Sequence, residues 1–418
     1  MQLRYNYRMY PNASQRAALA SAFGCARVVW NDCLRARKDA HAAGLPYVSS
    51  AQLSRQLITE AKRTEGRAWL AEVSAVVLQQ SLRDLDAAFR AFFGALRGER
   101  KGRRVGEPRF KSKKDTRQSI RLTTNAFSLR TDGRVYVAKV GDVRIRWSRP
   151  LPAAPSSLTV VKDSAGRYFA SFVVETDAEH LPRTGTEVGI DLGLATFAVL
   201  SDGTKISSPR FLRRAEKKLK RLQQSLSRKA AGSRNRAKAR LKVARQYAKV
   251  ADRRRDWHHK MSTQIIRNNQ AVYVEDLAVH ALGRTRLAKS VHDAGWTAFV
   301  DMLEYKAAKY GRHFGRIGRF EPTSQICSAC GHRDGPKPLH IREWLCPACG
   351  AVHDRDGNAA FNTLAAGRAD RKNASWSVGE TEARAPAPRD EAGRPGRTDQ
   401  GRAKSSWLGS GSDQLIRA

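Results

Sequence analysis

The alternation of apolar and polar positions divides the first half of the chain into three segments. Residues 2–10 alternate strictly, which predicts a half-buried strand that ends before Pro11. Beyond Asn12 or Ser14, either of which can cap a helix, apolar positions recur at helical spacing to about residue 98. From about residue 118 to 176 the pattern becomes short alternating runs separated by turn residues. The pattern predicts a small antiparallel β-barrel, closed by the N-terminal strand.

The second half of the chain has longer, uniformly apolar strands. Residues 187–206 contain two such strands separated by DLGL, and residues 270–279 contain a third that ends in acids. Between them, residues 210–260 carry leucine and alanine stripes on two helices joined near the AGS of 231–233. This predicts an antiparallel helical hairpin. From about Gly367 the chain loses its aliphatic clusters, which predicts a disordered tail over 367–418.

Charge is the feature that points to a partner. The chain has 77 Lys and Arg against 39 Asp and Glu, a net charge of +38, which favours a polyanion such as nucleic acid over a merely solvated basic surface. Residues 210–260 alone hold 20 basic and 3 acidic residues, so the hairpin has few internal ion pairs. A solvated face remains the alternative for such a run, but the imbalance favours contact with phosphates.

Neither a membrane span nor a secretory leader is predicted. No apolar run approaches 18 residues, and the N-terminal MQLRYNYRMYP lacks the apolar core of a signal peptide. We therefore expect a location in the prokaryotic cytoplasm or nucleoid and no membrane partner.

Four of the six cysteines form two pairs with metal-ligand spacing. Cys327 and Cys330 are followed 15 residues later by Cys346 and Cys349, and a glycine follows each pair. Four thiolates close a tetrahedral site and leave no open position, so the spacing predicts a structural Zn²⁺ in a zinc ribbon, with redox use as the alternative. The other two cysteines, Cys25 and Cys33, are expected to be buried thiols.

Three carboxylates stand where a lone acid would be costly. Asp191 lies inside an apolar strand, Glu275 ends another, and Asp356 sits where a helix would begin. Each alone is explained equally well as a strand-end or capping acid. Together they would repel one another unless divalent cations lay between them, and oxygen ligands suit Mg²⁺. The set therefore predicts a site for two Mg²⁺ ions that hydrolyses phosphodiester bonds.

Three residues close to Asp356 have expected roles of their own. We expect Asp354 to be a capping or neighbouring acid, His353 to be a positioning residue, and Asn358 to assist the metal site or its phosphates.

Several motifs together resemble the TnpB family, RNA-guided nucleases encoded by insertion sequences and related to type V CRISPR effectors. The resemblance runs from about residue 2 to 365 and leaves only the tail uncovered. Its motifs, in family order, are RMYPNASQ, GIDLGL, VEDL, DAGW with LEYKAAKYG, SQICSACG, and CPACG with HDRDGNAAFN.

This resemblance implies a multidomain α/β chain with a RuvC-like, RNase H-type nuclease domain. The implied divisions are a wedge-type antiparallel β-barrel at 1–11 and 118–180, a helical recognition lobe at 12–117, the nuclease domain at 181–322 and 351–366 with the basic hairpin 210–260, the zinc ribbon at 323–350, and the tail at 367–418.

By position, the family's catalytic acids fall on Asp191, Glu275 and Asp356. The implied activity is cleavage of double-stranded target DNA beside a short transposon-adjacent motif, guided by an RNA from the transposon end. The predicted nucleic-acid contacts are Arg213, Arg214, Lys217, Lys220, Arg221, Arg253, Arg254 and Arg255.

Other functions differ in the residues that they need. A nuclease-silent RNA-guided regulator would have no need of the three acids, all of which are present. It stays the alternative, together with an accessory transposition protein. A transposase that joins strands itself would need a His-x-His motif with a nearby tyrosine nucleophile, which is not seen. A junction nuclease would not account for the cysteine pairs or the basic hairpin. The pattern leaves monomer and dimer both open.

Overall fold

The computed structural model describes residues 1–100, 105–338 and 340–382, which form two compact units. One unit comprises Arg4–Asp163 and Arg167–Val174, and the other comprises Met1–Leu3, Ser164–Gly166 and the chain from Glu175. Each is described by itself.

The first unit joins a seven-stranded sheet to a set of helices. Its strands are β1 (Gln2–Tyr10), β2 (Gln118–Thr123), β3 (Phe127–Leu129), β4 (Arg134–Val137), β5 (Gly141–Arg146), β6 (Pro155–Lys162) and β7 (Tyr168–Glu175). Its α-helices are α1 (Ala13–Ala42), α2 (Ser50–Ser54) and α3 (Ala75–Leu96), with a π-helical turn at Arg55–Glu60 and 3₁₀ turns at Ala61–Arg63, Glu65–Glu72 and Thr124–Ala126.

The sheet is nearly closed. Its strand order is β2-β6-β7-β1-β5-β4-β3, so the N-terminal strand lies in the middle, as predicted. The two edge strands, β2 and β3, are not neighbours in this order; the short turn Thr124–Ala126 links them instead. The predicted closed barrel is therefore a near-barrel in the described residues.

The helices and the sheet of this unit share one core. Leu34 of α1 and Leu85 of α3 are fully buried in the same cluster as Leu122, Val160 and Phe172 of the strands. The helical segment thus folds onto the sheet and forms one compact unit with it.

The second unit is built on a five-stranded mixed sheet. Its strands are β8 (Glu187–Leu192), β9 (Thr196–Leu200), β10 (Lys205–Ser207), β11 (Ala271–Glu275) and β12 (His313–Ile317), in the order β10-β9-β8-β11-β12, and a two-stranded ribbon is formed by β13 (Glu343–Leu345) and β14 (Val352–Asp354). Its helices are α4 (Phe211–Ser227), α5 (Arg234–Asn268), α6 (Val279–Leu282), α7 (Ala288–Ala294), α8 (Trp296–Tyr310) and α9 (Arg355–Glu382).

The predicted pattern of this unit is confirmed at its main elements. Strands β8, β9 and β11 are buried, and α4 and α5 form the predicted hairpin with a turn at Ser233, whose hydroxyl caps α5. Strand β11 is parallel to both β8 and β12.

The predicted disordered tail is wrong for its first part. Helix α9 continues past Gly367 to Glu382, and residues 383–418 lie outside the described part of the chain. Gly367 allows the helix to approach the Tyr273 ring, where a Cβ would lie 2.2 Å from Cδ1. Arg368 and Arg371 then pair with Glu187 at 2.6 and 2.8 Å. These tertiary contacts stabilise a segment whose composition is poor in apolar residues.

Helix α9 lies against β8 because β8 carries a glycine at the crossing. A Cβ on Gly189 would lie 2.2 Å from the Ala360 carbonyl oxygen and 2.4 Å from the Leu364 nitrogen. Ala359 and Ala360 are buried at the same contact. This close approach sets the distance between α9 and the sheet.

We expect Gly189→Ala to destabilise this unit by about 1–3 kcal/mol, because the added methyl would force the helix off the strand. Thermal unfolding of the full chain measures the effect. Gly185→Ala is the matched control, since no atom lies within 4 Å of its Cβ position. Equal stability of the two variants would contradict the close packing of α9 on β8.

Candidate carboxylate site and cysteine cluster

Two of the three predicted acids lie side by side at the carboxyl ends of β8 and β11 in the five-stranded sheet. In the parallel pairing of β8 and β11, Ile190 is opposite Val274, so Asp191 and Glu275 are the next residues on neighbouring strands. Residues in register on adjacent strands place their side chains on the same face. Both acids are half-buried.

Helix α9 places the third acid near the ends of these two strands. Asp356 stands in the first turn of the helix, one turn before the alanines that pack on β8. The N-terminal end of a helix favours negative charge, so an acid is stable there. The fold thus gathers Asp191, Glu275 and Asp356 from three separate segments.

The electrostatics of the site bring the three acids together at Asp191. Burial first, and then the negative charges of Glu275 and Asp356, raise the pKa of Asp191 to about 8. Burial also raises the pKa of Glu275, although the Thr323 hydroxyl, which donates a hydrogen bond to its carboxylate, opposes that shift. Without a cation, the site therefore holds Asp191 mainly as the neutral acid at pH 7.

Asp356 has a cationic neighbour from the two-stranded ribbon region. An Arg342 guanidinium nitrogen lies 3.3 and 3.4 Å from the two carboxylate oxygens of Asp356. The Arg355 amide also donates to the Arg342 carbonyl at 2.7 Å, which ties this segment to the start of α9. Neither Arg342 nor Thr323 was identified from the sequence, because both lie in irregular segments without a period.

The three acids do not meet at a single point. Within the part of the chain that the structure describes, they do not form a group whose ligand atoms all lie within 4.8 Å of one another. Carboxylate oxygens are hard ligands of the kind that Mg²⁺ prefers.

We expect the stability of the magnesium-free protein to fall as pH rises from about 4 to 8. The pKa of Asp191 is about 8 in the folded chain against 3.8 for the free group. Between these values the folded chain keeps the proton and the unfolded chain loses it, so the free energy of unfolding decreases as pH rises through this range. Asp191→Asn does not titrate, so at pH 8 it should be more stable than the native chain by about 1–3 kcal/mol. Thermal unfolding at pH 5 and 8, with zinc retained and magnesium omitted, measures this. An equal difference at both pH values would contradict it.

The residues around Asp356 have separable roles. Asp354 accepts a hydrogen bond from the Gly357 amide at 2.8 Å and pairs with Lys205 at 2.9 Å, as expected of a capping acid. Although burial acts to raise the pKa of Asp354, these contacts with Lys205 and the helix amides lower it. Nε2 of His353 lies 3.0 Å from the Cys327 sulfur, so this ring contacts the cysteine cluster.

The expectation that Asn358 assists the metal site or its phosphates is wrong. Its buried side chain accepts a hydrogen bond from the Ser328 amide at 2.8 Å and donates to the Thr323 and Ile326 carbonyls. Asn362, one turn on, donates to the same two carbonyls at 2.7 Å. The two asparagines therefore fasten the first cysteine turn to α9.

The four predicted zinc ligands form a closed cluster. The ligand sulfurs of Cys327, Cys330, Cys346 and Cys349 all lie within 4.8 Å of one another. The Cys327–Cys349 and Cys330–Cys346 sulfur pairs are 3.7 Å apart. A tetrahedron with Zn–S bonds of 2.3 Å has an edge of about 3.8 Å, so the cluster has the dimensions of a zinc site. It can hold a metal ion.

The predicted cationic residues fall into two groups. Arg213 donates to the Ser290 hydroxyl at 2.8 Å, and Arg254 donates to the His292 carbonyl at 2.7 Å, so these two hold the segment around α7. The other six are exposed on α4 and α5: Arg214, Lys217, Lys220, Arg221, Arg253 and Arg255. Sequence alone could not separate the groups, because arginines of both kinds occupy the same charged run.

None of the helices in the described ranges has the length and apolar character of a membrane span.

The fold is one that RNA-guided endonucleases also adopt. The solved structure titled "Structure of the mini-RNA-guided endonuclease CRISPR-Cas_phi3" matches with a TM-score of 0.53 at 9% sequence identity, covering 87% of this chain and 92% of that chain. At this identity the likeness concerns the fold alone.

Relatives identify the family. A protein of Streptomyces pristinaespiralis named "Putative RNA-guided DNA endonuclease" is 47% identical over 369 residues, covering 87% of this chain and 89% of its own. One of Escherichia coli K12, "Putative RNA-guided DNA endonuclease InsQ", is 30% identical over 384 residues, covering 87% of this chain and 92% of its own. The chain belongs to the TnpB family.

Three family models match in chain order. They are described as a helix-turn-helix domain (residues 1–45), a probable transposase of the OrfB_IS605 family (171–286) and a Cas12f1-like TNB domain (296–363). The last of these spans the cysteine cluster and Asp356. The first covers a region in which the structure has strand β1 and one long helix, α1.

Proposed function

We propose that this protein is an RNA-guided DNA endonuclease that hydrolyses both strands of a target duplex at one carboxylate site. The observation that carries the proposal is that Asp191, Glu275 and Asp356 come together from three segments, where burial and then the charges of the other two acids raise the pKa of Asp191 to about 8. Two of its relatives are named putative RNA-guided DNA endonucleases, which supports the proposal.

The second unit would then be a RuvC-like nuclease domain with the cysteine cluster as its zinc ribbon. Bound at the three acids, Mg²⁺ would supply activation of the attacking water and stabilisation of the leaving oxygen. The chain's own groups prepare the site: Thr323 orients the Glu275 carboxylate, and Arg342 balances the charge of Asp356. Asp191 must give up its proton when a cation binds, so cation affinity should rise with pH.

The guide would be an RNA derived from the transposon end, and the target a double-stranded DNA beside a short adjacent motif. Pairing between guide and target would read the sequence, while the basic surface of the protein would hold the heteroduplex by its backbone. The net charge of +38 supports this division, because it supplies affinity without sequence preference.

The rival function is guided binding without cleavage, which the presence of all three acids disfavours. The test is to purify the chain with its bound RNA, sequence that RNA, and add Mg²⁺ with a matching duplex. A discrete RNA ending in flanking transposon sequence, together with cutting, supports the proposal. Random RNA fragments would refute guidance, and guided binding without cutting would establish the rival.

A further inference from the structure

A groove of about 520 Å³ runs between the two helices of the basic hairpin. Its volume falls within the range of small-ligand sites, about 300–1,000 Å³. Besides Lys260, two pairs of cations line it, and the members of each pair are one helical turn apart: Arg214 and Lys218 on α4, and Lys249 and Arg253 on α5. Residues at i and i+4 share a helix face, so all four charges converge on the groove.

These four cations are available to a ligand. In residues 1–100, 105–338 and 340–382, none of the four forms an ion pair with an acid, and all are exposed. The one acid of the groove, Asp256, is already paired with Lys260 at 2.9 Å. The groove therefore presents an excess of positive charge that a phosphate-bearing ligand would neutralise.

The floor of the groove is aromatic and apolar. It is lined by Phe211, Val250 and Trp257. The Trp257 ring packs edge-on against the Phe197 ring, with centroids 4.7 Å apart, and this contact holds it in place. A ring held rigidly between cations suits an unstacked base, because base–aromatic stacking and phosphate contacts are the two parts of single-strand recognition. A simple solvated charged face would not need the aromatic floor.

We propose that this groove binds an unstacked nucleotide of a single-stranded segment of RNA. Phosphates lie against the four cations and the base lies against Trp257. The Gln246 amide and the Asp256 carboxylate also line the groove and can accept a hydrogen bond from a ribose 2′-hydroxyl, which DNA lacks. The assignment rests on the proposed function in that it names where the guide would contact this chain.

The first test measures binding of an oligouridylate to the full chain freed of copurified nucleic acid. Lys218→Glu/Lys249→Glu should weaken binding roughly tenfold or more and should lower the slope of log affinity against log salt by about 1.4, since each single-strand phosphate contact contributes about 0.7. Arg240→Glu is the control, because it reverses an exposed charge of α5 that is not part of the groove lining. Circular dichroism checks that each variant folds.

The second test needs no variant. Ultraviolet crosslinking of the bound oligouridylate to the native chain should map to the peptide that contains Trp257, and an oligodeoxyuridylate of equal length should bind several-fold more weakly. Crosslinks confined to other peptides would overturn the groove, and equal binding of the DNA would overturn its assignment to RNA. Equal loss in the control and groove variants would also refute the groove while leaving the proposed function standing. A chain that binds no RNA would refute both.

Discussion

Asp356→Asn is expected to reduce DNA cleavage by about a thousandfold or more, which corresponds to at least ~4 kcal/mol of transition-state stabilisation. The substitution keeps the size of the side chain and its place in the first turn of α9 but removes one of the three charges that would hold cations in the proposed site. Binding of RNA and of the guided target should stay within about twofold, since the residue lies at the carboxylate site and not on the basic hairpin. Single-turnover cleavage and filter binding with the same complex separate the two effects.

Asp354→Asn is the matched control, two residues away. Asparagine still accepts the hydrogen bond from the Gly357 amide, so the helix cap survives, while the ion pair with Lys205 is lost. We expect less than a tenfold loss of cleavage from this exposed pair. If Asp354→Asn abolished cleavage and Asp356→Asn did not, Asp354 would be the ligand and the choice between the two would be reversed.

The three acids could be predicted from the sequence because of where each stands. A carboxylate inside or at the end of an apolar strand is costly, and that cost is visible in the pattern around Asp191 and Glu275. Their pairing could not be predicted in the same way, since register depends on the whole sheet. The structure supplies it through the Ile190–Val274 pair.

The contacts that orient the acids escaped prediction for a different reason. Thr323 and Arg342 lie in irregular segments. Such segments lack the helical or strand periodicity from which spatial neighbours can be predicted. Asn358 was assigned to the metal site because acids lie near it in the sequence, whereas its side chain contacts the carbonyls of the cysteine turn. The length of α9 was also underestimated, since Gly367 and the paired arginines depend on tertiary contacts with Tyr273 and Glu187.

These contacts make the cysteine cluster and the carboxylate site parts of one arrangement. The segment from Thr323 to Arg342 supplies a hydroxyl to Glu275 at one end and a guanidinium to Asp356 at the other, and the cysteine pairs lie within and just after it. Asn358 and Asn362 fasten its first turn to the same helix that carries Asp356. A metal in the cluster would therefore control the positions of Glu275 and Asp356 through a hydrogen bond and an ion pair.

Loss of zinc is accordingly expected to abolish cleavage, although the cluster makes no direct contact with substrate in this scheme. The buried apolar cluster here consists of Cys327, Trp344 and Cys346, which is too small to fold the segment alone. Structural zinc contributes about 10–16 kcal/mol of apparent binding free energy at such sites, so its removal should leave the segment unfolded. Cys346→Ser should lose the bound zinc and reduce cleavage about 100-fold or more, in keeping with the effect of mispositioned ligands.

Ser328→Ala is the control, because the Ser328 side chain is exposed and its backbone amide alone bonds Asn358. Metal analysis, hydrogen exchange of residues 323–354 and cleavage should change together in Cys346→Ser and stay native in Ser328→Ala. RNA binding should persist in both, since the basic hairpin is built on α4 and α5. Full cleavage by a zinc-free Cys346→Ser protein would show that Glu275 and Asp356 hold their positions unaided, and the coupling through Thr323 and Arg342 would then be refuted.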